Sequence, residues 1–414
     1  MICNGRAFCG LPVFFSPSKE ATALKTLVEI YDASNVIDNV LVSYLFQPDR
    51  VVFLSDSSSR SKEGIDSLRN ALTARFPNMK VFQEILDNSE QVEKVCERLV
   101  ATYPDPVFDL TGGQDVIGFA VTLFCYERVR PCICIDWQQR RLICNEAAEK
   151  YRVNVTFPQM TIENMLQMNG ATLQRKMHNT PPKSLYEPLV DFYEETLRFP
   201  KNWLSTCKYL QIMASKAEKE GHPMSFTGNS VITDRGAKVL RCHPDFAKLA
   251  YRLGFLKELE WKKTTVSITF ANETVLRYLT SQGTWLELYV YITAMQSGRF
   301  SDCQMSVVID WDGIDMKRDN VINEIDVILM RGCRPVFISC KTSVPSTENL
   351  NEIALYAKRF GGNHAIPMLV TTTDVRSQSA TTYYRAQELG VILVERKDLL
   401  KENGLLHILE NIKG

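Results

Sequence analysis

At 414 residues the chain is too long for one ordinary core, which predicts two or three domains. Its 48 Lys and Arg balance 48 Asp and Glu, excluding a protein that coats nucleic acid by bulk charge but leaving room for a local basic groove. Twelve cysteines are scattered without a paired CxxC array, no secretory leader is visible, and no run approaches the roughly twenty apolar residues that span a bilayer, so a reducing cytoplasm is expected.

The first 150 residues alternate strand and helix. A strand is predicted over Leu11–Phe15 and a helix over about Glu20–Phe46. A second strand, Arg50–Leu54, runs into the polar loop Ser55-Asp56-Ser57-Ser58. Helices near 62–75 and 91–103 alternate with strands at 80–82 and 106–110. Thr111-Gly112-Gly113 then leads into an apolar helix through Cys125, and Cys132–Asp136 closes the series. Repeated units of this length imply a doubly wound parallel α/β sheet, whose ligands sit at the carboxyl ends of the strands. In Asp109-Leu110-Thr111-Gly112-Gly113-Gln114-Asp115 a strand becomes a helix. Glycines there let a ligand approach the backbone, and the helix N-terminus favours phosphate. A plain tight turn has the same residues, so the motif gains value only beside the hydroxyls of Ser55, Ser57 and Ser58, which suit ribose or phosphate. Ser16, after the first strand, is a further candidate.

From about Thr161 the pattern changes. Residues 161–177 and 185–218 read as helices around a turn-rich linker at 178–183, and 225–270 mix short strands with a helix at 246–253. Residues 156–270 are read as a small connector with the helix-and-strand mix of a winged helix. A third unit covers 271–414: helix 285–297, strands near 305–311, 323–330 and 335–340, helix 349–360, strand 366–371, helix 380–389 and strand 391–394. It suits a small mixed sheet flanked by helices.

The third unit carries the sharpest chemistry. Strands Asn323–Leu329 and Val336–Lys341 flank the turn Arg331–Pro335 and bring Asp326 and Lys341 together in an otherwise apolar hairpin. Burying such charges without partners is expensive. An acid that binds a divalent ion beside a lysine that steadies phosphate charge is the logic of phosphodiester cleavage. Glu287 is the lone acid of an apolar helix: either it faces solvent, or it turns toward Asp326 and completes a metal site. Glu324, two residues before Asp326, shares its strand face.

Gly283–Glu287, Asn323–Val327 and Ser339–Thr342 resemble the PD-(D/E)xK nuclease core, in particular that of CRISPR-associated nucleases carrying an N-terminal CARF domain. The resemblance implies a restriction-endonuclease-like α/β core over 271–414, a Rossmann-like CARF sensor over 1–155, and a metal, manganese or magnesium, held by Asp326 and Glu287. It assigns Lys341 to the attacking water or the phosphate. It also implies a homodimer binding cyclic tetra-adenylate or cyclic hexa-adenylate through Ser55, Asp56, Ser57, Ser58, Thr111, Gly112, Gly113, Gln114 and Ser16. That ligand would switch on cleavage of DNA or RNA in type III CRISPR defence. Two departures stand out. Ser339 occupies the position, two before the lysine, where the family pattern has an acid, so Glu324 or Glu352 would have to compensate. Gln114-Asp115 replaces the Thr-Lys that often follows the paired glycines.

Two rivals remain. A receptor whose nuclease fold has lost catalysis is favoured by Ser339. A ligand-responsive regulator would instead bind duplex through the middle region. The five histidines are dispersed without HxH or HExxH spacing, which gives a histidine-based mechanism little support. Lys262-Lys263, Lys317-Arg318, Arg331 and Arg334 are candidate groove cations, and Trp311, Tyr383 and Tyr384 candidate base-stackers. Each has an ordinary alternative as solvated face or packing.

Overall fold

The computed structural model describes residues 25–88, 91–174, 180–311 and 322–413. The chain divides into two compact units, Met1–Pro158 and Gln159–Gly414.

The first unit runs β1 (Thr26–Ile30), α1 (Asp38–Phe46), β2 (Arg50–Ser55), α2 (Ser59–Arg75), β3 (Lys80–Ile85), α3 (Val92–Thr102), β4 (Pro106–Asp109), α4 (Asp115–Glu127), β5 (Cys132–Asp136) and β6 (Arg141–Cys144). Its strands form one sheet in the order β3-β2-β1-β4-β5-β6. All pairs are parallel except the antiparallel β5–β6 edge. This is the expected doubly wound sheet, with one correction: residues 20–46 are not one helix. Thr26–Ile30 is the central strand, buried at every position between β2 and β4. Thr26 and Glu29 interrupt its apolar run, so the segment lacks the continuous Val/Ile/Leu signature of a strand covered on both faces. The strand expected at Leu11–Phe15 and the candidate Ser16 lie outside the described residues.

The second unit begins with α5 (Ile162–Met168) and β7 (Thr172–Leu173), followed by α6 (Tyr186–Arg198) and α7 (Pro200–Lys219). Pro200 at the start of α7 splits the long helix expected over 185–218, since it has no N–H for the preceding turn. Next come β8 (Ser225–Asn229), β9 (Val231–Thr233), β10 (Val239–Arg241), α8 (Pro244–Arg252), β11 (Leu256–Lys262), β12 (Thr265–Phe270) and α9 (Glu273–Thr280). β11, β12 and β8 make a three-stranded antiparallel sheet, and β9 and β10 a small hairpin. The rest is α10 (Thr284–Ser297), β13 (Asp302–Asp310), β14 (Ile322–Arg331), β15 (Arg334–Lys341), α11 (Thr347–Gly361), β16 (Ile366–Thr371), α12 (Val375–Gln378), α13 (Ala380–Glu388), β17 (Ile392–Val394), α14 (Arg396–Leu399) and α15 (Gly404–Glu410).

The main sheet of this unit is ordered β17-β16-β15-β14-β13-β7. β13, β14 and β15 form an antiparallel meander, and β15, β16 and β17 run parallel. β7, from within residues 156–270, pairs with the end of β13. One hydrophobic core runs from Leu189 in α6 through Phe270 in β12 to Ile338 in β15 and Leu405 in α15. The middle residues therefore fold onto the C-terminal sheet. Trp285 of α10 lies at the junction, with Phe192 4.6 Å and Trp203 5.7 Å from it between ring centroids.

Candidate active site

α10 is apolar nearly all round: Trp285, Leu286, Leu288, Val290, Tyr291 and Ile292 are all buried, as befits a core helix. Glu287 in its first turn is therefore no solvent-facing glutamate. It is half-buried, and its carboxyl is pushed up to about 7. Burial is the main cause, followed by the charges of Asp326 and Glu324; the Ser306 hydroxyl and the Lys341 ammonium act in the opposite sense. The acids of α10 and β14 thus converge, with Lys341 as the cation beside them.

Asp326 is held from β15. The β14–β15 ladder pairs Arg331 with Arg334 through to Val327 with Ile338, and β15 continues beside β16 as far as Lys341 opposite Thr371. Past Val327 the Cys340 N–H donates to Asp326 Oδ2 at 2.6 Å. The Ser339 hydroxyl donates to the same oxygen at 3.3 Å, and Lys341 Nζ lies 3.5 Å from it. Ser339 thus adds a hydrogen bond where an acid would add charge. Glu324 is exposed on the same strand. Glu352 does not turn inward; its carboxylate accepts from the Tyr356 hydroxyl at 2.6 Å, one turn along α11.

Ser306 is the site residue that sequence reading missed. It is buried in β13, its backbone is left-handed at φ 50°, and its hydroxyl donates to Glu287 Oε2 at 3.4 Å. The β13–β14 register pairs Met305 with Val327 and Val307 with Ile325, which sets Ser306 across from Asp326. A non-glycine residue in that backbone region is strained, and such strain concentrates at functional sites. The one available signal was a small polar residue inside the apolar strand Met305–Ile309.

Of the candidate stackers, Trp311 packs edge-on against Tyr356 and Phe360. Tyr383 lies under the Arg376 guanidinium, and Tyr384 is exposed. Arg331 and Arg334 donate to the carbonyls of Leu409, Glu410 and Lys413, so they brace the C-terminal segment. Lys317 and Arg318 lie outside the described residues.

In the first unit, the Ser55–Ser58 loop and the Thr111–Gln114 turn follow β2 and β4, the two neighbours of β1, and so lie at the carboxyl end of the sheet where its strand order reverses. Much of their polarity is used locally. Ser58 caps α2, Asp56 accepts from Ser58, and the Ser55 hydroxyl accepts from the Gln83 amide. Hydrogen bonds from Ser58 hold the Asp56 carboxyl below its usual range. Thr111 donates to Asp109 at 2.5 Å and accepts from the Ile135 N–H. The paired glycines answer a steric demand: a Cβ on Gly113, at φ 98°, would lie 2.3 Å from the Ile30 side chain, and one on Gly112 3.2 Å from the Asn39 amide. Gln114 is the N-cap residue of α4. The loop after β1, Tyr31–Asn35, joins the same edge and was hidden by the helix expected there.

Beneath these loops lies a buried acidic cluster. Glu29 and Asp109 are register neighbours on β1 and β4, and Asp38 opens α1. Burial pushes the Asp109 carboxyl up to about 7 and raises Glu29 well above the carboxylate range, with Asp109 adding to the effect on Glu29.

Residues 272–411 match the family model of the Card1-like endonuclease domain. The whole fold is similar to protein VC1899 from Vibrio cholerae, with TM-score 0.72 and 18% identity over 94% of this chain and 98% of that one. It is also similar to Can2 from Sulfobacillus thermosulfidooxidans in complex with cyclic tetra-adenylate, with TM-score 0.67 and 17% identity over 93% and 99%. The C-terminal residues 272–411 thus match an endonuclease family, and the chain shares its fold with these two proteins. No curated protein sequence matches it. Among the described residues no helix is long and apolar enough to cross a membrane.

Proposed function

We propose that the protein is a metal-dependent endonuclease of type III CRISPR defence, switched on by a cyclic oligoadenylate. The observation that carries this reading is the convergence of Glu287, Asp326 and Lys341 within the segment that matches an endonuclease family. Mutually repelling carboxylates in a half-buried place suit a hard divalent cation, manganese or magnesium. Among the described residues no group of three or more Asp, Glu, His or Cys is gathered closely enough to enclose a metal. Asp326 and Glu287 would therefore hold the ion, with water and phosphate oxygens completing its shell, as magnesium sites commonly do. When bound, the cation would polarise the scissile phosphate and lower the pKa of water. Lys341 would orient the attacking water or meet charge developing on the phosphate, and Ser339 would keep Asp326 in place.

The ligand reading rests on the likeness to Can2, whose structure holds cyclic tetra-adenylate, and on the loops gathered at the strand-order reversal. The homodimer reading rests on α4. Val116, Phe119, Leu123 and Tyr126 stand on it at helical spacing and are 65%, 66%, 45% and 81% exposed. An apolar stripe of that extent on a helix calls for a partner, and a two-fold interface would present the same stripe twice. To act as a switch, the ligand must bind the cutting state more tightly than the idle one.

The test is cleavage of labelled single-stranded DNA, single-stranded RNA and supercoiled plasmid with manganese, each with and without cyclic tetra-adenylate or cyclic hexa-adenylate, with sedimentation of the same samples. Metal-dependent cutting with one ring only is the expected result. Ring binding without cutting would make the protein a receptor, with Ser339 as the disabling substitution.

A further inference from the structure

Beside the catalytic residues the second unit holds an open cleft of about 640 Å³, within the roughly 300–1,000 Å³ of small-molecule sites. Its wall includes Leu286, the residue before Glu287, and Thr342, the residue after Lys341. Thr372, also in the wall, is tied to this strand end: its N–H donates to the Lys341 carbonyl at 3.2 Å and its hydroxyl to the Thr342 carbonyl at 3.1 Å. The cleft thus borders the end of the strand that carries Lys341.

Three residues of this cleft carry a buried polar atom without a hydrogen-bond partner among the described residues: Tyr193 Oη, Gln282 Nε2 and Arg396 Nε. Orphaned buried polar atoms are rare in folded proteins, and each asks for an explanation. Two of the three are obligate donors. A ligand rich in carbonyl and ring-nitrogen acceptors would answer them after a small side-chain adjustment. The rim is of another kind. Phe199, between α6 and α7, is 51% exposed, and the exposed Arg198 and Lys201 flank it. A half-exposed aromatic between two cations is how proteins hold an unpaired base and its phosphates. Trp203, Trp285 and Leu286 add an apolar wall, which suits the flat face of a base better than a bare phosphate.

We propose that this cleft takes an unpaired nucleobase of the nucleic acid strand being cut, stacked on Phe199, with its phosphates toward Lys201. The proposal rests on the nuclease reading and adds to it a base-binding subsite at Phe199. A duplex would first have to unstack and unpair a base, at an energetic cost, before the cleft could take it.

The test is anisotropy of a labelled oligothymidylate on the full-length protein in EDTA with cyclic tetra-adenylate present. The same sequence with abasic sites, and a blunt duplex, serve as comparisons. Phe199→Ala is expected to weaken oligothymidylate binding roughly 10-fold, the scale of one lost base stack, whereas Phe199→Trp retains it. The abasic strand should bind wild type and Phe199→Ala alike, because base and ring act as one pair. Equal binding of oligothymidylate by wild type and Phe199→Ala overturns the proposal, as does duplex bound as tightly as single strand. Binding is read without cleavage, so the two readings fail separately. A Phe199-dependent binder that never cuts defeats the nuclease and keeps the cleft. An active nuclease indifferent to Phe199 does the reverse.

Discussion

Each unit of the molecule buries acids beside one another, and the two solve the problem differently. In the second unit Glu287 and Asp326 face Lys341, and Asp326 Oδ2 collects a backbone N–H, a hydroxyl and the ammonium. In the first unit the charges acting on Glu29 are those of Asp109 and Asp38, both of its own sign, and only the Ser43 hydroxyl works against them. Among the described residues Glu29 Oε2 has no hydrogen-bond partner. Acids placed this way relieve repulsion by keeping a proton, as carboxyl pairs do wherever like charges are forced together. In the proposed mechanism one cluster meets an incoming cation and phosphate; the other is arranged to be neutral. An elevated carboxyl is therefore no mark of catalysis until the surrounding charges are read.

The largest effect is expected from removing the Lys341 ammonium, which the acids of the first unit lack. Lys341→Ala is expected to lower cleavage on the order of 10²–10³-fold, the usual loss when one donor to developing charge is deleted. Asp326→Asn should cost at least as much. Both side chains are partly exposed, so circular dichroism and melting should stay close to wild type. Unchanged cleavage in both variants would move the active site elsewhere.

Glu287 gives the next largest effect. The groups facing it are Asp326 and Glu324 from β14, Lys341 from β15 and Ser306 from β13. Its carboxyl ionises near 7, so below that pH it is neutral and a poor cation ligand, and above it is anionic. The cleavage rate should therefore rise between roughly pH 6 and 8 and level off above. Because cation and proton compete for the same oxygens, more manganese should move the rise to lower pH. Glu287→Gln should lower the rate and flatten the profile. A rate that falls over this range would show that Glu287 acts as an acid.

The first unit gives the opposite sign. Asp109 ionises near pH 7 in the folded chain and near 3.9 when unfolded. The folded form thus holds more protons across that interval. Its contribution to stability is complete below about pH 4 and is lost as pH rises toward 7. Glu29, raised in the same direction, adds to this trend. The melting temperature of wild type minus that of Glu29→Gln should therefore fall from pH 4 to pH 7. A difference independent of pH would mean that Glu29 is not held protonated in the folded chain.

The parts of the molecule legible in the sequence are those in which one residue violates its own segment. Glu287 in an apolar helix, and Asp326 with Lys341 in an apolar hairpin, announced themselves because burying a lone charge needs a reason. The alternation of strands and helices after Arg50 was equally plain. β1 was not: Glu29 looks like a surface residue until Asp109 is seen beside it, and that pairing is a fact of the sheet. The Phe199 cleft was invisible for a related reason. Its walls come from α6, α7, α10 and the ends of β15 and β16, which share no local pattern.

Ser306 offers the smallest and most specific test. Its hydroxyl favours the charged form of Glu287 by a hydrogen bond, and its left-handed backbone lies opposite Asp326 in the β13–β14 register. It touches no reacting atom in the proposed mechanism; it positions Glu287. Ser306→Ala should lower cleavage only several-fold, because one neutral hydrogen bond is worth about 0.5–1.5 kcal/mol. It should also shift the pH rise upward, since removing the donor makes the Glu287 charge costlier. Ser306→Gly relieves the backbone but lacks the hydroxyl, so it should share the pH shift while melting no lower than the alanine variant. A loss of stability without a pH shift would reduce Ser306 to a packing residue, and the strain in β13 would then need another explanation.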